Sequence, residues 1–381
     1  MALPLEKNPM KTETGYSNIV GRLARSGTWR SQTESTFSRI KAAARRNDPA
    51  NTAGLVSCCV EECRICYRVM KQWQQDVRAF LESKDAGGAA LREREAALIA
   101  TFPKVDDASY DSESAWLRFL ETLLDLQRDA YAGATDAARA GVDKALARWD
   151  VISAVESDWA HGLIDCVIKF LGEEAIPEMW EHVIQALFQW RYQKFDVSRR
   201  DWATEILPEL LYVAIEAERT WLSTAGRDGS PIDVREFDDR WEMHFDPCGT
   251  GGRGLAHKIR GTEGRPDFDV VANAHPWTDG KAGVCSYCTH CLVLMEHMPM
   301  DAFGYPLRVV EPPLLHEGDP QAKCKWTMYK NPADAPAEVY ARCGRAKPAL
   351  PLGSKRDAVP SGFGNFPAGI EIDRNNEERK P

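Results

Sequence analysis

Residues 241–252 read Trp-Glu-Met-His-Phe-Asp-Pro-Cys-Gly-Thr-Gly-Gly, and the fold turns on how this stretch is read. Trp241, Met243 and Phe245 alternate with Glu242, His244 and Asp246. That period of two places the apolar side chains on one face of a half-buried strand. Pro247 ends it, because proline has no N–H to give a ladder. N-terminal to this point the period is different. Cys59, Cys63, Cys66, Met70, Trp73, Val77 and Phe80 recur at spacings of four and three, which is one face of a helix. Residues 116–124 and 149–170 give two more such stripes, the second ending at Gly172 as a C-cap. Pro177 opens a further helix, and residues 202–217 form the next, with a kink expected at Pro208. C-terminal to the quoted stretch, Leu307 and Val309 alternate with Arg308, and Cys324, Trp326 and Met328 alternate with Lys325, Thr327 and Tyr329.

The expected fold class is therefore α+β. An N-terminal helical domain (51–228) is followed by a small mixed α/β C-terminal domain (229–343) with a Cys/His metal site. Residues 1–50 hold nine Lys and Arg against four acids and are expected as a flexible basic arm. Residues 344–381, rich in Pro, Gly and charge, are expected as a tail.

Composition narrows the function. The 381 residues carry 48 Lys+Arg against 57 Asp+Glu, a net charge of −9. This argues against a nucleic-acid coat, which needs a basic face. The longer uncharged runs, 183–190 and 285–295, fall well short of the ~20 apolar residues of a membrane span. Residues 1–20 lack an apolar signal core, so a cytoplasmic location is expected. There the eleven cysteines would stay reduced, as ligands, reactive thiols or core. The expected partner is a small-molecule substrate, with no nucleic acid and no membrane; a homo-oligomer is left open.

Two cysteine clusters read differently. Cys59-x3-Cys63-x2-Cys66, preceded by Cys58, has the spacing of a radical-SAM iron–sulfur motif. It lies in register with Met70, Trp73, Val77 and Phe80, so it reads as helix core. Cys285-Ser-Tyr-Cys288-Thr-His290-Cys291 instead gives two overlapping C-x2-C knuckles in a loop-rich region. Such a knuckle lets two thiolates grip one ion while a remote Cys or His completes the tetrahedron. The candidate ligands are Cys248, His275, Cys285, Cys288 and Cys291, with zinc favoured. An iron–sulfur cluster ranks second, because Met295 and Glu296 stand where a ferredoxin run would want Cys-Pro. Cys166 and Cys324 read as core thiols.

The glycine loop at 249–254 exposes backbone N–H groups, with Gly251 and Gly252 as candidate anion binders. Arg253 could clamp a substrate carboxylate. Glu296, His290 and His244 are the candidate proton carriers.

Several of these segments together resemble a known family. They are the strand ending in Pro247-Cys248, the Cys-bearing helix start over 288–296, the Arg-bearing strand over 306–310, and Gly318 followed by Cys324-Lys325-Trp326. Residues 163–176 (LIDCVIKFLGEEAI) add a Leu-Gly-Glu-Glu turn. The pattern, over roughly residues 110–330, resembles the L-2-amino-thiazoline-4-carboxylate hydrolase-like family. More distantly it is similar to the 4-vinyl reductase domain, a small-ligand-binding α+β module. The resemblance implies opening of a small heterocycle by hydrolysis. Joined to the thiolate-rich site, it makes the leading expectation a metal-dependent hydrolase of a small cyclic C–N compound. The alternatives are a zinc-stapled ligand-binding or sensory module without catalysis, and an iron–sulfur redox protein.

Overall fold

The structure is a computed structural model, and it describes residues 12–104, 109–187, 195–197, 199–222, 232–260, 268–315 and 323–349. It is a largely helical N-terminal region followed by a small mixed α/β region, the α+β architecture expected.

The helical region is organised by α3 (Pro49–Ser83). Asp48 caps it by accepting from the N–H of Asn51 at 3.1 Å, and Pro49 sits where no N–H is needed. All seven members of its cysteine-to-phenylalanine stripe are buried. The chain continues through α4 (Ala89–Ile99), α5 (Ser112–Tyr131) and α6 (Thr135–Leu171); α5 and α6 pack on α3, and α4 packs on α6. Gly172 ends α6 with φ of 86°, a conformation glycine adopts without strain. Next come α7 (Ile176–Leu187) and α8 (Leu207–Trp221). A π turn over Trp202–Ile206 leads straight into α8. Pro208 lies just inside the helix and lacks the N–H that would bond one turn back, so the expected distortion falls in that preceding turn.

From residue 12 onward, the segment expected as a loose arm is folded. It forms a hairpin, β1 (Thr14–Ser17) with β2 (Arg22–Arg25), then α1 (Trp29–Gln32) and α2 (Thr36–Arg45). Phe37, Ile40, Ala43 and Ala44 of α2 enter the core. Several basic residues of the segment are paired: Arg39 and Arg46 with Glu13, Lys41 with Asp143, and Arg22 with Glu216. Residues 1–11 and most of the expected tail (350–381) lie outside the described residues.

The C-terminal region is built on an antiparallel sheet of order β3-β4-β8-β7. Its strands are β3 (Asp233–Glu236), β4 (Arg240–Phe245), β7 (Val309–Glu311) and β8 (Cys324–Tyr329). The register sets Met243 opposite Trp326 and Phe245 opposite Cys324. A small ladder pairs β5 (Val270–Val271) with β6 (Val284–Cys285). Helix α9 (Gly251–Arg260) follows β4 directly. After β6 comes α10 (Thr289–Leu292), which runs through a π turn at Val293–His297 into α11 (Met298–Phe303). Helix α12 (Ala337–Arg342) lies beyond β8. A single apolar cluster runs from Phe37 in α2 to Met328 in β8, so the two regions share one core. Among the described residues no helix is long and apolar enough to cross a membrane.

Candidate metal centre and adjoining pocket

Where the helices meet the sheet they leave a cavity of about 200 Å³. Met70 and Trp73 of α3 line one wall, and Leu210 and Trp221 of α8 another. His290, Arg308 and Trp326 face them from the C-terminal region. The surface is mostly apolar and the volume small, which suits a compact ring rather than a chain.

Two polar groups stand out. Glu218 of α8 is 5 % exposed and accepts from the N–H of Gly249 at 3.3 Å. Burial pushes its carboxyl up to about 7, against the pull of that N–H and of Arg308. Arg308 lays its guanidinium on the Trp326 ring, 3.7 Å from the centroid. Its Nε is buried without a hydrogen-bond partner, and among the described residues the guanidinium has no ion pair. In the sequence Arg308 carries only the signal of its place between Leu307 and Val309, the polar-face position of an alternating strand pattern.

Beside this cavity lies a smaller void of about 20 Å³, room for an ion or a water but not for a substrate. Cys248, Cys288, Cys291 and Cys324 line it. Glu218, Thr250, His290 and Trp326 line both spaces, so the void adjoins the pocket. The thiols come from three separate segments. Cys248 ends the β4 turn, and its Sγ accepts from the N–H of Gly252 at 3.1 Å. Cys288 and Cys291 flank the start of α10. Cys324 opens β8, opposite Phe245. His290 sets Nδ1 against the Tyr287 carbonyl at 2.6 Å, so that nitrogen carries the proton and Nε2 faces Cys291 Sγ at 3.1 Å. Burial drops its pKa to about 3 and keeps the ring neutral.

The remaining sequence candidates are placed elsewhere. His275 sets its ring nitrogens against Glu173 at 2.7 Å and Glu174 at 3.2 Å, and stacks on Trp277. Cys285 turns to His161, with Sγ 3.6 Å from Nε2. Burial alone would raise that thiol, but bonds from Cys288 and His161 outweigh it and draw it well below the usual range. Arg253 is held on α6 by Ala154 O, Ser157 Oγ and Asp158, so it ties two helices together instead of reaching a ligand. Gly251 and Gly252 pack against sulfur, and a Cβ at Gly251 would stand 2.5 Å from Cys288 Sγ. His244 pairs with Glu242 at 3.0 Å on the outer side of β4. Glu296 is enclosed by Arg342, at 2.8 and 2.9 Å, and by the N–H of Val310.

A second grouping is separate from the lining of the void. Asp279, His297 and Cys343 are buried with ligand atoms all within 4.8 Å of one another, a cluster capable of coordinating a metal ion. Arg342 reaches Asp279 at 3.2 Å, and Arg345 reaches His297 Nδ1 at 2.9 Å. Among the described residues it is the only trio this tight, so Cys248, Cys288 and Cys291 surround their void more widely. Compared with family models, curated proteins and solved structures, the chain finds no match.

Proposed function

We propose that this protein is a metal-dependent hydrolase that opens a small cyclic C–N compound, with the 200 Å³ cavity as its substrate pocket. The observation that carries the reading is the shared wall: the thiol-lined void and the cavity have Glu218, Thr250, His290 and Trp326 in common. Cys248, Cys288 and Cys291 would hold the metal. Bound there, a metal with an open position polarises a substrate or activates water, and one closed by four ligands staples the fold.

The chain's own groups divide the rest of the work. Arg308, the role expected of Arg253, grips an acid group on the substrate. The aromatic walls hold the ring and exclude bulk water. Glu218, poised near neutrality, takes a proton from the attacking water and returns it to the ring atom that leaves. The resemblance to the 2-amino-thiazoline-4-carboxylate hydrolases suggests the first substrate to try.

The test incubates purified protein with that compound and a panel of small heterocyclic acids, and follows the gain of one water by mass spectrometry. Glu218→Gln should lower kcat by about 10²–10⁴. Arg308→Ala should raise KM by about ten- to a hundredfold, the worth of a charged hydrogen bond. Unchanged turnover in Glu218→Gln would overturn the mechanism. Binding without turnover in the wild type would favour the second reading, a metal-stapled ligand-binding module. The specific observation on that side is that four thiols, enough to close a metal's shell, border the void.

A further inference from the structure

Cys324 is the thiol whose position changes the reading of the site. Its strand pattern groups it with Trp326 and Met328 as core, yet in the sheet it opens β8 at the point where β4 turns toward Cys248. Four cysteines thus border one void of about 20 Å³, and each is 7 % exposed or less. The eleven cysteines are all free thiols, so none of these four is held in a disulfide.

The backbone closes in on the sulfurs. The Gly252 N–H donates to Cys248 Sγ at 3.1 Å. Glycine at 251 lets the backbone approach Cys288 closely. Of the other sequence candidates, His275 is occupied by Glu173 and Glu174, and Cys285 lies against His161, outside the lining of the void. Neutral residues alone do not explain why four sulfurs from three segments converge on one space. Buried free thiols on one helix face meet because the helix repeat brings them together, as Cys59 and Cys63 of α3 do; these four have no such repeat to unite them.

We infer that Cys248, Cys288, Cys291 and Cys324 together hold one thiophilic metal centre, with Cys324 filling the place expected of His275. The inference rests on reading the thiol-lined void as a metal site, and it specifies the ligand set as all-sulfur. Two centres share that chemistry. A single zinc would draw the sulfurs into a tetrahedron with edges of about 3.8 Å, from bonds of about 2.3 Å. An iron–sulfur cluster uses the same four thiolates at wider spacing. The 20 Å³ void suits the first, and that no three of the sulfurs all lie within 4.8 Å of one another suits the second. With all four sulfurs bound the shell is closed and the centre anchors the β4 turn, the α10 start and β8 to one another; hydrolysis at the metal then requires one sulfur to give way to water or substrate.

The experiment uses the full chain, purified without oxygen, and reads metal rather than turnover, so its failure is distinct from failure of the hydrolase reading. Zinc, iron and acid-labile sulfide are counted per chain, before and after reconstitution with zinc or with iron and sulfide. X-ray absorption at the edge of the bound metal then counts its neighbours. About one zinc ringed by four sulfurs near 2.3 Å supports the inference. So does a brown protein with sulfide in proportion to iron and only sulfur in the first shell. Cys324→Ser should cut metal content at least tenfold or replace one sulfur neighbour by oxygen. Cys166→Ser, a buried thiol of α6, should keep the full complement. A nitrogen neighbour in the wild type, an unchanged all-sulfur shell in Cys324→Ser, or no uptake of either metal would each overturn it. Because the wild-type shell decides by itself, a variant that fails to fold does not blur the answer.

Discussion

The two groups of cysteines in this molecule look alike in the sequence and are placed in different ways. On α3, Cys59 and Cys63 stand 3.9 Å apart, one helical turn from each other, on a face shared with Met70 and Trp73. Burial pushes Cys58 up to about 12 and Cys63 well above its ordinary range, so these thiols stay protonated. Around the void three of the thiols are raised too, Cys291 to about 12 by burial, Cys288 by its bond to Cys285 and by burial, and Cys324 by its bond to Cys248 and by burial. The difference is one of placement: the sulfurs arrive from three segments and meet a backbone N–H, a neutral imidazole and a buried carboxyl. Close spacing along a helix therefore marks a packing surface here, and convergence from distant segments marks the proposed site.

The sharpest way to break this contrast is to remove one thiol from each group. Cys288→Ser should strip the centre of metal and loosen the connection between β6 and α10. Hydrogen exchange in residues 284–297 should rise by several orders of magnitude, because structural metal sites contribute on the order of 10 kcal/mol to folding. If exchange there stays at the wild-type level, the second group is core as well. Next in size is the ion pair below α3. Arg219 is fully buried, bonds Glu62, and donates to Gln32 Oε1 at 2.8 Å. Arg219→Met would strand the Glu62 carboxylate and should cost about 3–5 kcal/mol in urea unfolding. The pair also fixes a pH dependence. Burial alone would raise Glu62, but the Arg219 charge and bond outweigh it and hold its pKa below 4.5. Folding thus gains from the pair above about pH 4.5 and loses that gain as the pH falls through the folded value. Glu62→Gln should flatten this acid limb, and an unflattened limb would assign it to other carboxylates. The smallest effect expected is Cys63→Ala. It removes one buried sulfur and should cost about 1–2 kcal/mol without changing metal content. A loss of metal in that variant would reverse the comparison.

Much of this could be read from the chain, for identifiable reasons. The period-3.6 stripe of α3 and the alternation in β4 and β8 were legible because one face of each element is buried. Gly172 was legible because a positive φ favours glycine. Residues 12–50 were not, since their core contribution is four small or scattered side chains and the rest is charge. Period two correctly set Cys324 on the face of Trp326 and Met328, but it says nothing about what that face meets. His275 was misplaced because its partner, Glu173, lies 102 residues away in sequence. Arg253 drew notice beside a glycine loop. Two arginines line the pocket; Arg22 is paired with Glu216, and Arg308 stands out by having no ion pair among the described residues, a property no sequence displays.

Gly251 contributes through what it lacks. Its bare Cα lies beneath Cys288, and any side chain there would meet the sulfur at 2.5 Å and the Tyr287 ring at 2.9 Å. A hydrogen atom on a third residue thus sets the gap between two loops. One added methyl would act as a wedge, retuning the grip on whatever sits between them while every donor atom stays in place.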